Sequence, residues 1–198
     1  MIKFMNISSA KPYLILKDKY DEAFLKSQKN IEAISISSFN KKIDEVDSRF
    51  VNLKFIDNDE FIFFSNYKSP KSVAFESHNQ IAAILYWSST DTQIRMKGRI
   101  KKKSVEYNKK YFSKRSFDKN ALAISSNQSQ PIASYDEVKK KYAKIRSSHS
   151  LSSCPSYWGG YSFTPYYFEF WEGHESRINK RTVFQLLKNN WKEFCLEP

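Results

Sequence analysis

Between Pro155 and Arg181 the chain reads PSYWGGYSFTPYYFEFWEGHESRINKR, a stretch with two tryptophans, three of the four glycines, and a closely spaced Arg177 and Arg181. Apolar and aromatic residues interleave through Tyr166–Trp171, the pattern of a strand buried on at least one face. Two readings fit the stretch by itself. It is a core hairpin followed by a basic turn, since aromatic-rich strands are usually core, or it gathers aromatic and basic groups around a flat anionic ligand.

The rest of the chain supplies partners for that strand. Tyr13, Leu16, Tyr20, Phe24 and Leu25 form a helical stripe within Lys11–Gln28. Ile31–Phe39 alternates, with Ile34, Ile36 and Phe39 as its inward residues. Ser48–Ile56 reads as one continuous strand, which puts Arg49 and Val51 on one face and Phe50, Asn52 and Lys54 on the other. Asp57–Glu60 supplies a turn, and Phe61–Ser65 is apolar enough for burial on both faces. A polar loop at Asn66–Lys71 leads to a short helix over Ser72–His78. Gln80–Trp87 reads as a buried strand and Thr92–Lys101 as another, with Gly98 placed for a bulge. Ser104 is the N-cap of a helix reaching Arg115. Asn120–Ser134 is polar, either a linker or a segment that contacts a ligand. Ser134 and Glu137 are spaced as a capping box for a charged helix to Arg146. Ser147–Pro155 is loop, and strands near Val183–Lys188 and Trp191–Leu196 close the chain. The expected fold is mainly β (α+β): one antiparallel barrel with peripheral helices, a single domain over 1–198 with a helical extension over 1–30.

The net charge is +12 over 198 residues, which favours polyanions or small phosphorylated ligands. Lys101–Lys103 and Lys109–Lys110 carry no recognised nucleic-acid motif, so nucleic acid is not the expected partner. No apolar run is long enough for a membrane span and no secretory signal stands at the N-terminus. Cys154 and Cys195 are not spaced as a metal pair, and His78, His149 and His174 form no ligand cluster with them. Two free thiols in a reducing cytoplasm and no metal are the expectation.

Seven short motifs occur in one order: R-x-x-x-x-K at Arg49–Lys54, SN-x-x-S-x-K at Ser65–Lys71, Q-I-R-x-x-G at Gln93–Gly98, Tyr-Phe-x-x-Arg at Tyr111–Arg115, Gln128-Ser129, P-S-x-W-G-G-Y at Pro155–Tyr161, and E-F-W…R-I-x-x-R at Glu169–Arg181. Together they resemble the pyridoxamine 5'-phosphate oxidase family, FMN enzymes with a split β-barrel fold.

The resemblance implies a division of labour. Arg49 and Lys71 would serve the FMN phosphate with the Ser65 hydroxyl, as suits a dianion. Phe50, Val51, Asn52, Leu53, Lys54 and Phe64 would lie along the cofactor, and Gln93 would reach its ring or ribityl chain. Gln128, Ser129, Trp171 and Arg181 would come from the other subunit of a homodimer with shared flavin sites. Lys54, Tyr111, Arg115 and Lys119 would hold the phosphate of a small phosphorylated pyridine. Arg177 would act over its reacting end, with Asn179 beside it. The implied reaction oxidises pyridoxamine or pyridoxine 5'-phosphate to pyridoxal 5'-phosphate, with hydride passing to flavin and O2 reoxidising it to H2O2. Since strict alternation sets Arg49 and Lys54 on opposite faces, a bulge or twist would be needed to bring them to one pocket.

The chain departs from the family pattern in four places. Pro70 stands where a basic residue is usual, and Lys119 where a serine is usual. Asn179 replaces a histidine, and Cys195 replaces the arginine of the terminal Arg-Leu-x-Pro. Asn179 can hydrogen-bond but does not titrate near neutrality. Two alternatives follow: a flavin-binding split barrel without this oxidase activity, or an oxidase of a related aromatic metabolite.

Overall fold

The computed structural model describes residues 1–147 and 151–198. His149 and the middle of the loop expected over Ser147–Pro155 lie outside the described residues.

Among the described residues ten strands form one sheet. Along it lie β1 (Lys3–Met5), β4 (Phe55–Asp57), β5 (Glu60–Asn66), β8 (Trp158–Glu172), β7 (Thr92–Lys102), β6 (Gln80–Trp87), β2 (Ala33–Asn40) and β3 (Glu45–Asn52) in spatial order. β9 (Lys180–Leu187) branches from β8 and pairs with β10 (Asn190–Leu196). Every pairing is antiparallel except β1 with β4. The long β8 is the hub, bonded to β5, β7 and β9. Lys188 and Asn189 both take positive φ in the β9–β10 turn, as a two-residue hairpin loop compatible with strand twist requires.

Among the described residues the α-helices are α1 (Lys11–Leu25), α2 (Pro70–Ser77), α3 (Val105–Phe112), α4 (Phe117–Ser125) and α5 (Tyr135–Arg146). The α1 stripe places Tyr13, Leu16, Tyr20 and Ala23 in the same buried cluster as the sheet residues Ile34, Phe61, Phe163 and Phe168. The Ser104 and Ser134 side chains each accept from the backbone N–H three residues on, which caps α3 and α5.

The structure corrects the sequence reading at several points. Ser48–Ile56 is not one strand: β3 ends at Asn52 and β4 begins at Phe55. Between them Leu53 is fully buried, with its N–H on the Glu32 carbonyl at 2.8 Å. β6 is not buried on both faces, because Ile81, Ala83, Leu85 and Trp87 are buried while their neighbours face out. In β2 the third inward residue is Ser38, and Phe39 is only half-buried. α2 starts at Pro70, where a missing N–H costs a helix nothing. The polar stretch from Asn120 is helical as far as Ser125. The bulge expected at Gly98 is present: the β7–β8 register shifts between Lys97 and Gly98, and a Cβ at 98 would stand 2.9 Å from the Thr164 carbonyl oxygen.

Candidate functional site

A cavity of about 840 Å³ opens between β3, the end of β5, α2, α3 and the segment after α4. Arg49, Phe50, Val51, Asn52, Lys54, Phe64, Ser65, Lys71, Tyr111, Arg115, Lys119, Gln128 and Ser129 all line it. Consecutive residues Arg49, Phe50, Val51 and Asn52 all line it, so the cavity takes side chains from both faces of the edge strand β3, and Lys54 joins them beyond the Leu53 break. Leu53, expected beside the cofactor, is instead a core side chain.

Three elements set one cationic end. Arg49, on β3, donates from Nη1 to the Ser38 hydroxyl at 2.8 Å and the Ile36 carbonyl at 3.3 Å, and pairs with Asp47 through Nη2. Lys71 is buried in the first turn of α2 and donates to Ser69 Oγ at 3.2 Å. Ser69 and Ser72 both donate to the Asn66 carbonyl at 2.8 Å, which holds the loop that carries the lysine. Burial, with repulsion from Arg49, lowers the Lys71 pKa to about 8. Ser65 stands at the end of β5. Its hydroxyl donates to Gln128 Oε1 at 3.4 Å, and the Asn66 N–H donates to the same oxygen at 3.3 Å. Gln128 and Ser129 line the wall of the same chain's cavity. Ser129 takes the left-handed conformation in the turn that presents them.

The other end is built from α3 and aromatic rings. Tyr111 stacks on Phe64 with centroids 3.8 Å apart, and Phe64 stacks on Trp158 at 5.2 Å. The Arg115 guanidinium lies 4.4 Å over the Trp158 ring. Among the described residues its buried Nη1 has no hydrogen-bond partner. Desolvation, with repulsion from Lys119 and Arg115, lowers the Lys54 pKa, and desolvation also lowers that of Arg115. Cations held out of water beside one another, one with an orphaned donor, are arranged for an anion. Pro70 and Lys119, two of the departures from the family pattern, both line this cavity.

Gln93, Trp171, Arg177, Asn179 and Arg181 do not line it. Gln93 pairs with Trp171 across β7–β8, and Trp171 with Arg181 across β8–β9, which sets these three in one row. Arg177 is exposed on the β8–β9 turn with φ 61°, a left-handed conformation uncommon outside glycine. Asn179 Oδ1 accepts from the His174 N–H at 3.1 Å and closes that turn.

Trp158 is not among the residues to which the resemblance gives a ligand role, yet its ring forms part of the cavity. The Gly159-Gly160 pair beside it was the available signal. A Cβ on Gly159 would fall 2.2 Å from the Tyr67 hydroxyl and 2.3 Å from Asn108 Nδ2, so glycine there is required by the close approach of those groups. The part played by Glu169, described below, was also missed. No signal in its neighbours marks a glutamate in an aromatic strand as bound to two arginines.

Residues 158–198 match the family described as the pyridoxine 5'-phosphate oxidase C-terminal dimerisation region. Over 194 residues the chain is 36% identical to pyridoxine/pyridoxamine 5'-phosphate oxidase 1 of Hydrogenovibrio crunogenus, covering 94% of this chain and 88% of that one. The chain belongs to the pyridoxine/pyridoxamine 5'-phosphate oxidase family. FMN is the cofactor of this family, whose members are oxidoreductases. Another pyridoxine/pyridoxamine 5'-phosphate oxidase, from Actinobacillus pleuropneumoniae, is 37% identical over 152 residues, 76% of this chain and 73% of that one. In fold the oxidase-family chain is similar to PhzG from Burkholderia lata, solved with tetrahydrophenazine-1-carboxylic acid (TM-score 0.86, 23% identity, 94% of this chain and 92% of that one). It is also similar to an FMN-binding protein of Nostoc punctiforme related to pyridoxamine 5'-phosphate oxidase (TM-score 0.79, 11% identity, 96% and 99%). The curled sheet is therefore the split barrel of this oxidase family. Among the described residues no helix is long and apolar enough to cross a membrane.

Proposed function

We propose that the chain is an FMN-dependent oxidase converting pyridoxine or pyridoxamine 5'-phosphate to pyridoxal 5'-phosphate. The observation that carries this reading is the buried, unpartnered Nη1 of Arg115 in a cavity also lined by Arg49, Lys54, Lys71 and Lys119. Two phosphate groups, one on the cofactor and one on the substrate, are the anions that such a cavity suits. Its volume is within the range of cofactor and small-molecule pockets, about 300–1,000 Å³.

Arg49, Lys71 and the Ser65 hydroxyl would hold the cofactor phosphate. Lys71 contributes most as an ammonium ion, below its pKa of about 8. Lys54, Arg115, Lys119 and Tyr111 would hold the phosphate of the substrate, with Lys119 giving that end a further positive charge. Phe64, Tyr111 and Trp158 form an apolar wall that keeps water from one side of the bound rings. Bound FMN would supply the two-electron oxidation, and the chain's task is placement and charge. Arg177 would cover the reacting end of the substrate. Asn179, neutral at every relevant pH, cannot act as a proton acceptor in place of a histidine.

A homodimer with shared flavin sites is part of this reading. Its support is that Gln93, Trp171 and Arg181 form a row apart from the cavity, in a region matching a dimerisation family. A cytoplasmic location is also part of it, in keeping with two free cysteines.

The test is an FMN-reconstituted assay on both phosphates, following aldehyde and H2O2, with Asn179→His measured beside the natural protein. Aldehyde from either substrate supports the reading. A yellow protein that forms none is a flavin-binding split barrel without this activity, or one that acts on another aromatic metabolite. A colourless protein that takes up no FMN removes the whole reading.

A further inference from the structure

Glu169 lies in β8 with 1% of its surface exposed, and both carboxylate oxygens are occupied. Oε1 accepts from Arg181 Nε at 3.0 Å and Arg181 Nη2 at 2.8 Å. Oε2 accepts from Arg95 Nη1 at 2.9 Å and from the Tyr167 hydroxyl at 3.0 Å. Burial, with the bond to Glu169, raises the Tyr167 pKa and keeps that hydroxyl a donor. A carboxylate taken this far from water is costly unless its lone pairs are filled, and four donors fill them here.

The two bonds to Arg181 restrain the plane of the guanidinium in a way that one bond cannot. Its remaining nitrogen, Nη1, donates to the Glu197 carbonyl at 2.8 Å. A guanidinium has five N–H groups. The three bonds above leave one free on each Nη, and these are what Arg181 can offer a ligand. Trp171 is two residues along β8 from Glu169, and Arg95 is two residues along β7 from Gln93. One buried carboxylate therefore ties both flanks of the row Gln93–Trp171–Arg181.

We propose that Glu169 is a positioning residue for flavin binding: it fixes the orientation of Arg181, and hence of the two free donors, and offsets the repulsion between Arg181 and Arg95. This rests on the FMN reading above. Replacing Glu169 with glutamine leaves the shape but removes the charge and one acceptor, so the two arginines, now uncompensated, compete for a single neutral oxygen while the new NH2 meets the donors on the other side.

The experiment is an FMN titration by quenching of flavin fluorescence on the natural protein, Glu169→Gln, Arg181→Ala and the double variant. Thermal melting of each protein without FMN is recorded alongside. The expected result is at least tenfold weaker FMN binding in Glu169→Gln, with the double variant binding no worse than Arg181→Ala alone. That non-additivity is the signature of action through Arg181, which a general loss of stability would not produce. Arg95→Met keeps the fork on Arg181 and is expected to change affinity less than threefold. If Glu169→Gln yields no folded protein, Glu169→Asp takes its place in the cycle, since it keeps the charge but shortens the reach. Natural affinity in the glutamate variant, or losses that multiply in the double variant, overturns the inference and leaves the FMN reading standing. A natural protein that binds no FMN overturns both.

Discussion

Arg49 and Lys54 line the same cavity although five positions separate them along what looks like one strand. Side chains from both faces of the edge strand β3 reach it, while Leu53, between Arg49 and Lys54, is buried in the core. The cavity's charge is drawn from several elements, with Lys71 on α2 and Arg115 and Lys119 beyond α3 beside these two, and several measurable consequences follow from it.

Lys71 makes anion binding depend on pH. Its pKa is lowered by burial to about 8, so it is an ammonium ion below that pH and neutral above it. FMN affinity is expected to fall as pH rises through 8, and Lys71→Met is expected to flatten that part of the profile. Stability of the unliganded protein has the opposite trend. Between about 8 and the ordinary 10.5 the unfolded chain holds more protons at this site, so the Lys71 contribution to stability rises with pH. Melting curves across this window, natural protein against Lys71→Met, check the sign.

Arg115 trades stability for binding. Its charge is desolvated and Nη1 has no hydrogen-bond partner among the described residues. Arg115→Met removes that penalty while keeping apolar contact with Trp158. Its melting temperature without ligand is expected to equal or exceed the natural one, while KM for the phosphorylated substrate rises by about tenfold or more, the loss of roughly one charge-assisted hydrogen bond. A melting temperature several degrees lower would contradict this account.

Gly159 tolerates no side chain. Gly159→Ala sets a Cβ against Tyr67 and Asn108 and is expected to cost about 1–3 kcal/mol by overpacking. Chemical denaturation measures the loss. Trp158 fluorescence is expected to shift with it, because Asn108 Oδ1 also accepts from the Gly160 N–H at 2.8 Å.

Shared sites can be tested by mixing. Arg49→Ala and Arg181→Ala are each expected to bind FMN poorly. If one site draws Arg49 from one subunit and Arg181 from the other, equal amounts unfolded and refolded together recover about a quarter of the sites, since half the dimers are mixed and each has one intact site. No recovery would place both arginines in a site from a single chain.

Much of the sheet was legible because its cues are local. Gly98 sits where a side chain would meet the Thr164 carbonyl, and β6 and β7 are bounded by polar residues that alternation can locate. The caps at Ser104 and Ser134 were legible for the same reason, since each bonds three residues along the chain. The Leu53 break was not, because alternation continues through it in the sequence and only burial of Leu53 shows the interruption. β1 was missed: three residues carry too little pattern, and its parallel pairing with β4 is set by tertiary contact. At the site, the motifs gave the residue types, but not that thirteen of the expected residues share one cavity while Gln93, Trp171 and Arg181 stand in a separate row. Nor could spacing along the chain show that Glu169 meets Arg95, which is distant in sequence and brought opposite by the β7–β8 register.

The Asn66 N–H ends β5 by donating to the Gln128 side chain at 3.3 Å, where a sheet partner would otherwise stand. Its isotope exchange with solvent is therefore timed by how often Gln128 lets go. That one amide is a clock on the cavity wall, and its slowing on addition of ligand would report that the wall is held by the bound molecule, without any turnover being measured.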